Sequence, residues 1–291
     1  MIAAAEVPAE ELQMEALLLA RTYCYGLFAK LLGATPDEAL IDALLGRTAS
    51  DAFEEFSGNS PELSSFCTLL GQMRASDRGH LLDRARDEHM RVLVGPLALP
   101  ASPYESPYTG THDMALFQLN TLNVRAAYEE WGLRLRRQQA VPDDHVSAMC
   151  QFASELSSRA ASALLGGDAD GLARILRGQH AFVRDHMANW LGMFAEIVRN
   201  SKAGEQAVLY PQLLEALAAF ARADVEFLVE SSYWAQREWT GGDARPHAPQ
   251  LTEAYEALAT LNALKPFGIQ DFELVSIPSK DGTQVTVNAD S

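Results

Sequence analysis

Asp144 and His145 stand side by side in "AVPDDHVSAMC". An aspartate next to a histidine can do more than one kind of work. At a helix start the carboxylate can cap the helix by accepting amide hydrogens. In a cleft the two can form a charged pair whose histidine changes charge near neutral pH. Both readings stay open on sequence alone. His112 and Asp113 form a second such pair, of the sort that holds a metal ion for hydrolysis. The further ligands such a centre needs are not visible at readable spacing. His180 and His186 lie six residues apart, so they point to different faces of a helix. His186 sits on an apolar stripe between Phe182 and Trp190, where a core histidine satisfied by one hydrogen bond is the better reading. There is no phosphate-binding P-loop, no glycine-rich dinucleotide fingerprint and no H-E-x-x-H pair. Cys24, Cys67 and Cys150 lie far apart among apolar neighbours and read as buried thiols in a reducing compartment.

Stepping by three and four, Leu12, Ala16, Leu19, Tyr23, Leu27 and Leu31 mark one face of a long helix. Helical patterns recur after it. A short helix follows Pro36, another runs from about Ala49 to Phe56, and Pro61 opens the next. Asp77 is the candidate cap of a helix running to about Val94. A helix from near Thr111 or His112 towards Trp131, one from Pro142–Asp144 to about Leu165, the Phe182–Ile197 stripe, one from Tyr210 ending around Trp234 to Trp239, and a short one over Leu251–Leu264 complete the series. Strand signals are absent before residue 270. The expected fold is all-α, a bundle of about ten helices in two packed halves. Residues 1–135 form the amino-terminal half and 136–240 the carboxy-terminal half. Residues 241–291 supply a linker, a short helix and a tail with an Asp281-Gly282 turn signal, read as a small β-hairpin or a disordered tail.

Residues 95–110 break this pattern with Pro96, Pro100, Pro103 and Pro107, among which sit Tyr104, Ser106 and Tyr108. Proline presets φ and bars helix, so the loop is stiff and extended. Its aromatic residues could wall a groove for a peptide, or the loop could be a rigid connector over the core. It has few donors of its own, so Arg91 is expected to turn inward and hold its carbonyls. The competing reading is a surface ion pair between Arg91 and Glu88.

The chain has 291 residues, a net charge of −16 with 39 acidic and 23 basic residues, and 48% hydrophobic residues. That is enough apolar material for a core. Nucleic acid is a poor partner for such a surface, and a basic peptide is a better one, although the charge could simply serve solubility. The amino terminus lacks a basic, then apolar, leader. The apolar stretch Leu12–Leu32 is interrupted by Glu15, Arg21 and Lys30, so no membrane insertion is expected and the location is read as cytoplasmic.

Taken in order, "E-x-x-R-x-L-x-G-P" from Glu88, "PASPYESPY" from Pro100 and "PDDH" from Pro142 resemble the TorD/DmsD/NarJ family of redox-enzyme maturation chaperones. "YGLFAKLL" resembles that family's first helix, and "FVRDHMANWLGMF" with "YPQLLEALAAF" its last two. The resemblance runs from about Tyr23 to Leu228. It implies an all-α, cytoplasmic, non-enzymatic chaperone that binds the precursor of a molybdoenzyme catalytic subunit. The bound segment would be its twin-arginine signal peptide, and the client would be held until its molybdenum cofactor is inserted. No stably bound cofactor is implied, only transient contact with molybdenum cofactor or guanine nucleotide, and the protein would be a monomer or dimer. Carried over position by position, the client-binding residues would be Arg91, Gly95, Pro96, Pro103, Tyr104, Ser106, Tyr108, Pro142, Asp144 and His145. Pro107, Val141, Met149 and Gln151 depart from the family's usual residues, and the last sixty or so residues lie outside its usual length. Two alternatives remain. One is a helical hydrolase using His112, Asp113, Asp144 and His145 around a metal; the other is a helical adaptor unrelated to redox enzymes.

Overall fold

The computed structural model describes residues 7–58, 60–95, 98–109, 114–138 and 141–278. Helix α1 (Ala9–Gly33) is the long first helix that the sequence predicts. Short helices α2 (Glu38–Leu45) and α3 (Arg47–Glu54) follow, then α4 (Pro61–Arg74) and α5 (Arg78–His89). Their starts are fixed locally. Asp37 accepts from the Leu40 amide at 2.8 Å, Ser60 from Leu63 at 3.3 Å, and Asp77 from His80 at 3.0 Å. A π-helical turn, Met90–Val94, ends α5.

Beyond the loop come α6 (Ser106–Thr109), α7 (Met114–Glu130), strand β1 (Leu133–Leu135), α8 (Val146–Leu165) and α9 (Ala169–Val183). A second π-helical turn, Arg184–Ala188, separates α9 from α10 (Leu191–Arg199). The predicted stripe from Phe182 to Ile197 is therefore two elements, not one helix. Then come α11 (Lys202–Glu205), α12 (Leu209–Arg237), α13 (Thr252–Ala263) and strand β2 (Leu274–Ser276).

The all-α reading holds apart from one small ribbon. Strand β2 pairs antiparallel with β1, Leu135 opposite Leu274 and Leu133 opposite Ser276. The sequence pattern places no strand before residue 270, yet β1 forms over Leu133–Leu135, running into the basic stretch Arg134–Arg137. A partner far along the chain creates it, and a three-residue strand leaves almost no periodic signal. The Asp281-Gly282 turn lies outside the described residues.

Helices from both expected halves share one hydrophobic cluster, running from Met14 to Leu261. Helix α1 lies against α8 closely enough that a side chain at Gly33 would collide with Ser147, whose hydroxyl donates to the Ala29 carbonyl at 2.8 Å. Arg21 of α1 and Asp224 of α12 form a fully buried pair, with Arg21 Nη2 3.0 Å from Asp224 Oδ2 and the Tyr25 hydroxyl donating to the same oxygen at 2.7 Å. Such a pair fixes one mutual placement of the two helices more than it adds net stability. The buried carboxylate of Glu15 holds the carboxy-terminal segment, accepting from Arg245 at 2.7 Å, the Ala248 amide at 3.0 Å and the Tyr255 hydroxyl at 3.2 Å. Among the described residues no helix is long and apolar enough to cross a membrane.

Candidate functional site

Gly95 opens the loop with φ 37°, a conformation that favours glycine, just after its amide closes the π-helical turn onto Met90 at 2.6 Å. Pro96 lies outside the described residues. Further on, the loop behaves like a short strand laid against the start of α8. The Val146 amide donates to the Pro103 carbonyl at 2.9 Å, and the Glu105 amide donates to the Asp144 carbonyl at 3.1 Å. These two bonds bracket a β-bridge between Tyr104 and His145, whose rings meet edge-on at 4.9 Å.

Side chains complete the latch. Asp144 Oδ2 accepts from the Ser106 amide at 3.0 Å and also from the Ser106 hydroxyl. Asp144 is a cap, but of the loop's short helix α6 and not of α8. The cap of α8 is His145, whose Nδ1 accepts from the Ser147 amide at 3.2 Å. That role requires a neutral ring, and burial, aided by His89, pulls His145 down to about 3. Asp144 is only 1% exposed and His145 3%. Neither lines an open cleft, because the loop lies against one and Phe272 stacks on the other at 3.9 Å.

Tyr108 donates to the Ser102 carbonyl at 2.8 Å and lays its ring on Trp190 at 5.2 Å, with Phe194 beyond. Pro142 is exposed just before the buried Asp143. Arg91 does not turn inward. It is exposed, donating to the Asp87 carbonyl at 3.2 Å and to Gln206 at 3.2 Å. Loop carbonyls find donors elsewhere: Pro103 takes the Val146 amide at the start of α8, and Ser102 takes the loop's own Tyr108 hydroxyl. Nor do Glu88 and Arg91 pair on the surface: Glu88 takes the inward face, and its carboxylate accepts from the amides of Val208, Leu209 and Tyr210 at 2.9, 2.8 and 3.1 Å. It caps α12, satisfying amides that a helix start leaves open.

Three further residues belong to this site. Glu105, 2% exposed, lies 3.1 Å from His186 Nδ1. Burial raises its carboxyl above the usual range, and the His186 contact acts against that rise. His186 is thus tied by one partner, as expected of a histidine on an apolar stripe. Asp143 accepts from Arg125 at 2.6 and 2.9 Å. Both acids lie inside quoted motifs, but a sequence gives no sign of which acid in a run turns inward. Among the described residues no group of three or more histidine, cysteine or acidic side chains is arranged to hold a metal. His112 and Asp113 lie outside those residues.

The nitrate reductase delta subunit family matches residues 55–196. The chain thus resembles the TorD/DmsD/NarJ family over a little under half of its length. It is also 29% identical over 129 residues to the chaperone protein TorD of Photobacterium profundum. That likeness covers 44% of this chain and 56% of the relative. The family match takes in the loop, Asp144, His145, His186 and Trp190, so the latch falls within the matched segment. The segment that brings Phe272 onto His145 lies beyond it.

Proposed function

We propose that the chain is a maturation chaperone and not an enzyme, binding the precursor of a molybdopterin-containing oxidoreductase subunit in the cytoplasm before export or assembly. In this reading the bound segment is the client's twin-arginine signal peptide. The molybdenum cofactor belongs to the client; the chaperone holds no resident cofactor and meets that group or guanine nucleotide only in passing.

The observation that carries the reading is the division of labour around the proline loop. Its inner side is latched by Asp144, His145 and Glu105, while exposed apolar side chains flank it. Met90 and Val94 lie on the turn that enters the loop, 41% and 51% exposed. Met193 and Ile197 lie on α10, whose Phe194 packs beneath Tyr108. Exposed apolar residues beside a rigid loop suit the apolar part of a peptide, and the net charge of −16 favours its basic part. Asp144 and His145 act in this account as positioning residues that set the loop, not as groups that touch the client.

The test replaces Val94 and Met193 by glutamate in one chain. Both side chains are exposed, so folding should be kept while capture of the client precursor falls at least tenfold. Full capture by a folded double variant would place the binding surface elsewhere.

A further inference from the structure

A cavity of about 310 Å³ lies between α1, α8 and the carboxy-terminal segment, away from the proline loop. Lys30 and Lys265 both border it, with Gln151, Ser158, Glu155 and Glu273. Its volume is that of a small-molecule site. The charges in it are unevenly paired. Glu155 is taken by Arg159 at 2.8 Å. Glu273 is shared between Arg136 at 3.0 Å and Lys265 at 3.4 Å. Lys30 is buried, and its ammonium donates to a neutral acceptor, the Leu264 carbonyl at 2.9 Å; no carboxylate among the described residues pairs with it.

A buried ammonium that no carboxylate touches directly is costly. A second ammonium one residue beyond that carbonyl adds like-charge repulsion. Burial first, and Lys265 second, lower Lys30 to about 8, with the Glu273 carboxylate acting against them from beyond ion-pair distance. Near neutral pH it is still a cation, and a lysine has three donors. Gln151 uses its carbonyl oxygen to accept the Leu274 amide at 2.8 Å, which leaves its amide nitrogen to donate.

We propose that this cavity binds a small oxyanion, carboxylate or phosphate, between Lys30 and Lys265, with Gln151 and Ser158 as neutral donors. Lys30 belongs to α1, and Lys265 begins the segment that carries Phe272 and β2. A bound oxyanion therefore ties that segment to the bundle and holds Phe272 on His145.

The probes are inorganic phosphate and succinate, titrated into the full chain by calorimetry at ionic strength matched with sodium chloride. The expected result is saturable binding of one probe or both, weakened at least tenfold by Lys265→Gln and by Lys30→Met. The stronger probe names the ligand class. Lys265 is 67% exposed, so its variant should fold, and it decides the matter if Lys30→Met does not. Hydrogen exchange at residues 274–277 should slow on binding. The proposal is overturned if neither probe binds beyond chloride, or if Lys265→Gln binds as the parent does.

Discussion

Asp144 holds Ser106 through two hydrogen bonds to one carboxylate oxygen, one from the backbone amide at 3.0 Å and one from the hydroxyl. Both partners are buried. A hydrogen bond to a buried charge contributes about 1.5–3 kcal/mol, and removing the acceptor also strands a buried amide. Asp144→Ala should therefore lower stability by about 2–4 kcal/mol in urea unfolding. Ser106→Ala keeps the amide bond and should cost about half as much. Exchange of amides in residues 102–109 should quicken in both. Stability and exchange like those of the parent would mean that the latch does not hold the loop.

Glu88 and Arg91 should behave oppositely to what their three-residue spacing suggests. Glu88→Ala removes the acceptor for three amides at the start of α12 and should cost about 2–3 kcal/mol. Arg91→Ala removes exposed bonds and should stay within about 0.5 kcal/mol. Equal effects in thermal or urea unfolding would contradict the assignment.

Acid should destabilise the fold through two buried histidines. Burial lowers His89 to about 4, and burial with His89 nearby lowers His145 to about 3, against an ordinary value of 6.5. Between those values the unfolded chain binds more protons than the folded one. The histidines' contribution is thus complete above 6.5 and is lost as pH falls through about 4 and then about 3. Glu105 and Asp143, raised by burial, act in the opposite direction. The histidine share is best read from His145→Asn, whose side-chain oxygen can still cap α8. Its stability should fall less steeply between pH 6.5 and 5 than that of the parent; an unchanged slope would count against the buried neutral ring.

Phe272→Ala should loosen the ribbon without unfolding the bundle. The ring stacks on His145, and the neighbouring backbone is held by Arg136 on the Glu273 carbonyl and Ile277 on the Gly132 carbonyl, each at 2.8 Å. A loss of about 1–3 kcal/mol is expected for a half-buried ring, below the figure for a full core aromatic. Amides of Leu133–Leu135 and residues 274–277 should exchange faster while the middle of α12 stays protected. Uniform faster exchange would show that the segment is part of one cooperative unit.

Most helices were legible in the sequence because each carried its own stripe and its own start, as with Asp77 ahead of α5 or Pro61 opening α4. The resemblance also pointed to Ser106, Asp144 and His145. What the sequence could not show was direction. Glu88 reads as one of many surface acids until Val208 to Tyr210, over a hundred residues away, are placed before it. Arg91 reads as an inward donor until the Val146 amide and the Tyr108 hydroxyl are seen on the loop's carbonyls. Strand β1 has no pattern of its own, since its partner β2 comes from the far end of the chain. Phe272 on His145 is hidden for the same reason: long-range pairing leaves no local trace.

Whether this chain holds a molybdoenzyme precursor can be asked outright by co-purification from the native host, with mass spectrometry of what comes with it. The expected companion is a molybdoenzyme catalytic-subunit precursor with its signal peptide intact, lost from the Val94→Glu, Met193→Glu double variant. Recovery of the folded protein without any redox enzyme, and with a metal bound to it in stoichiometric amount, would contradict the chaperone reading.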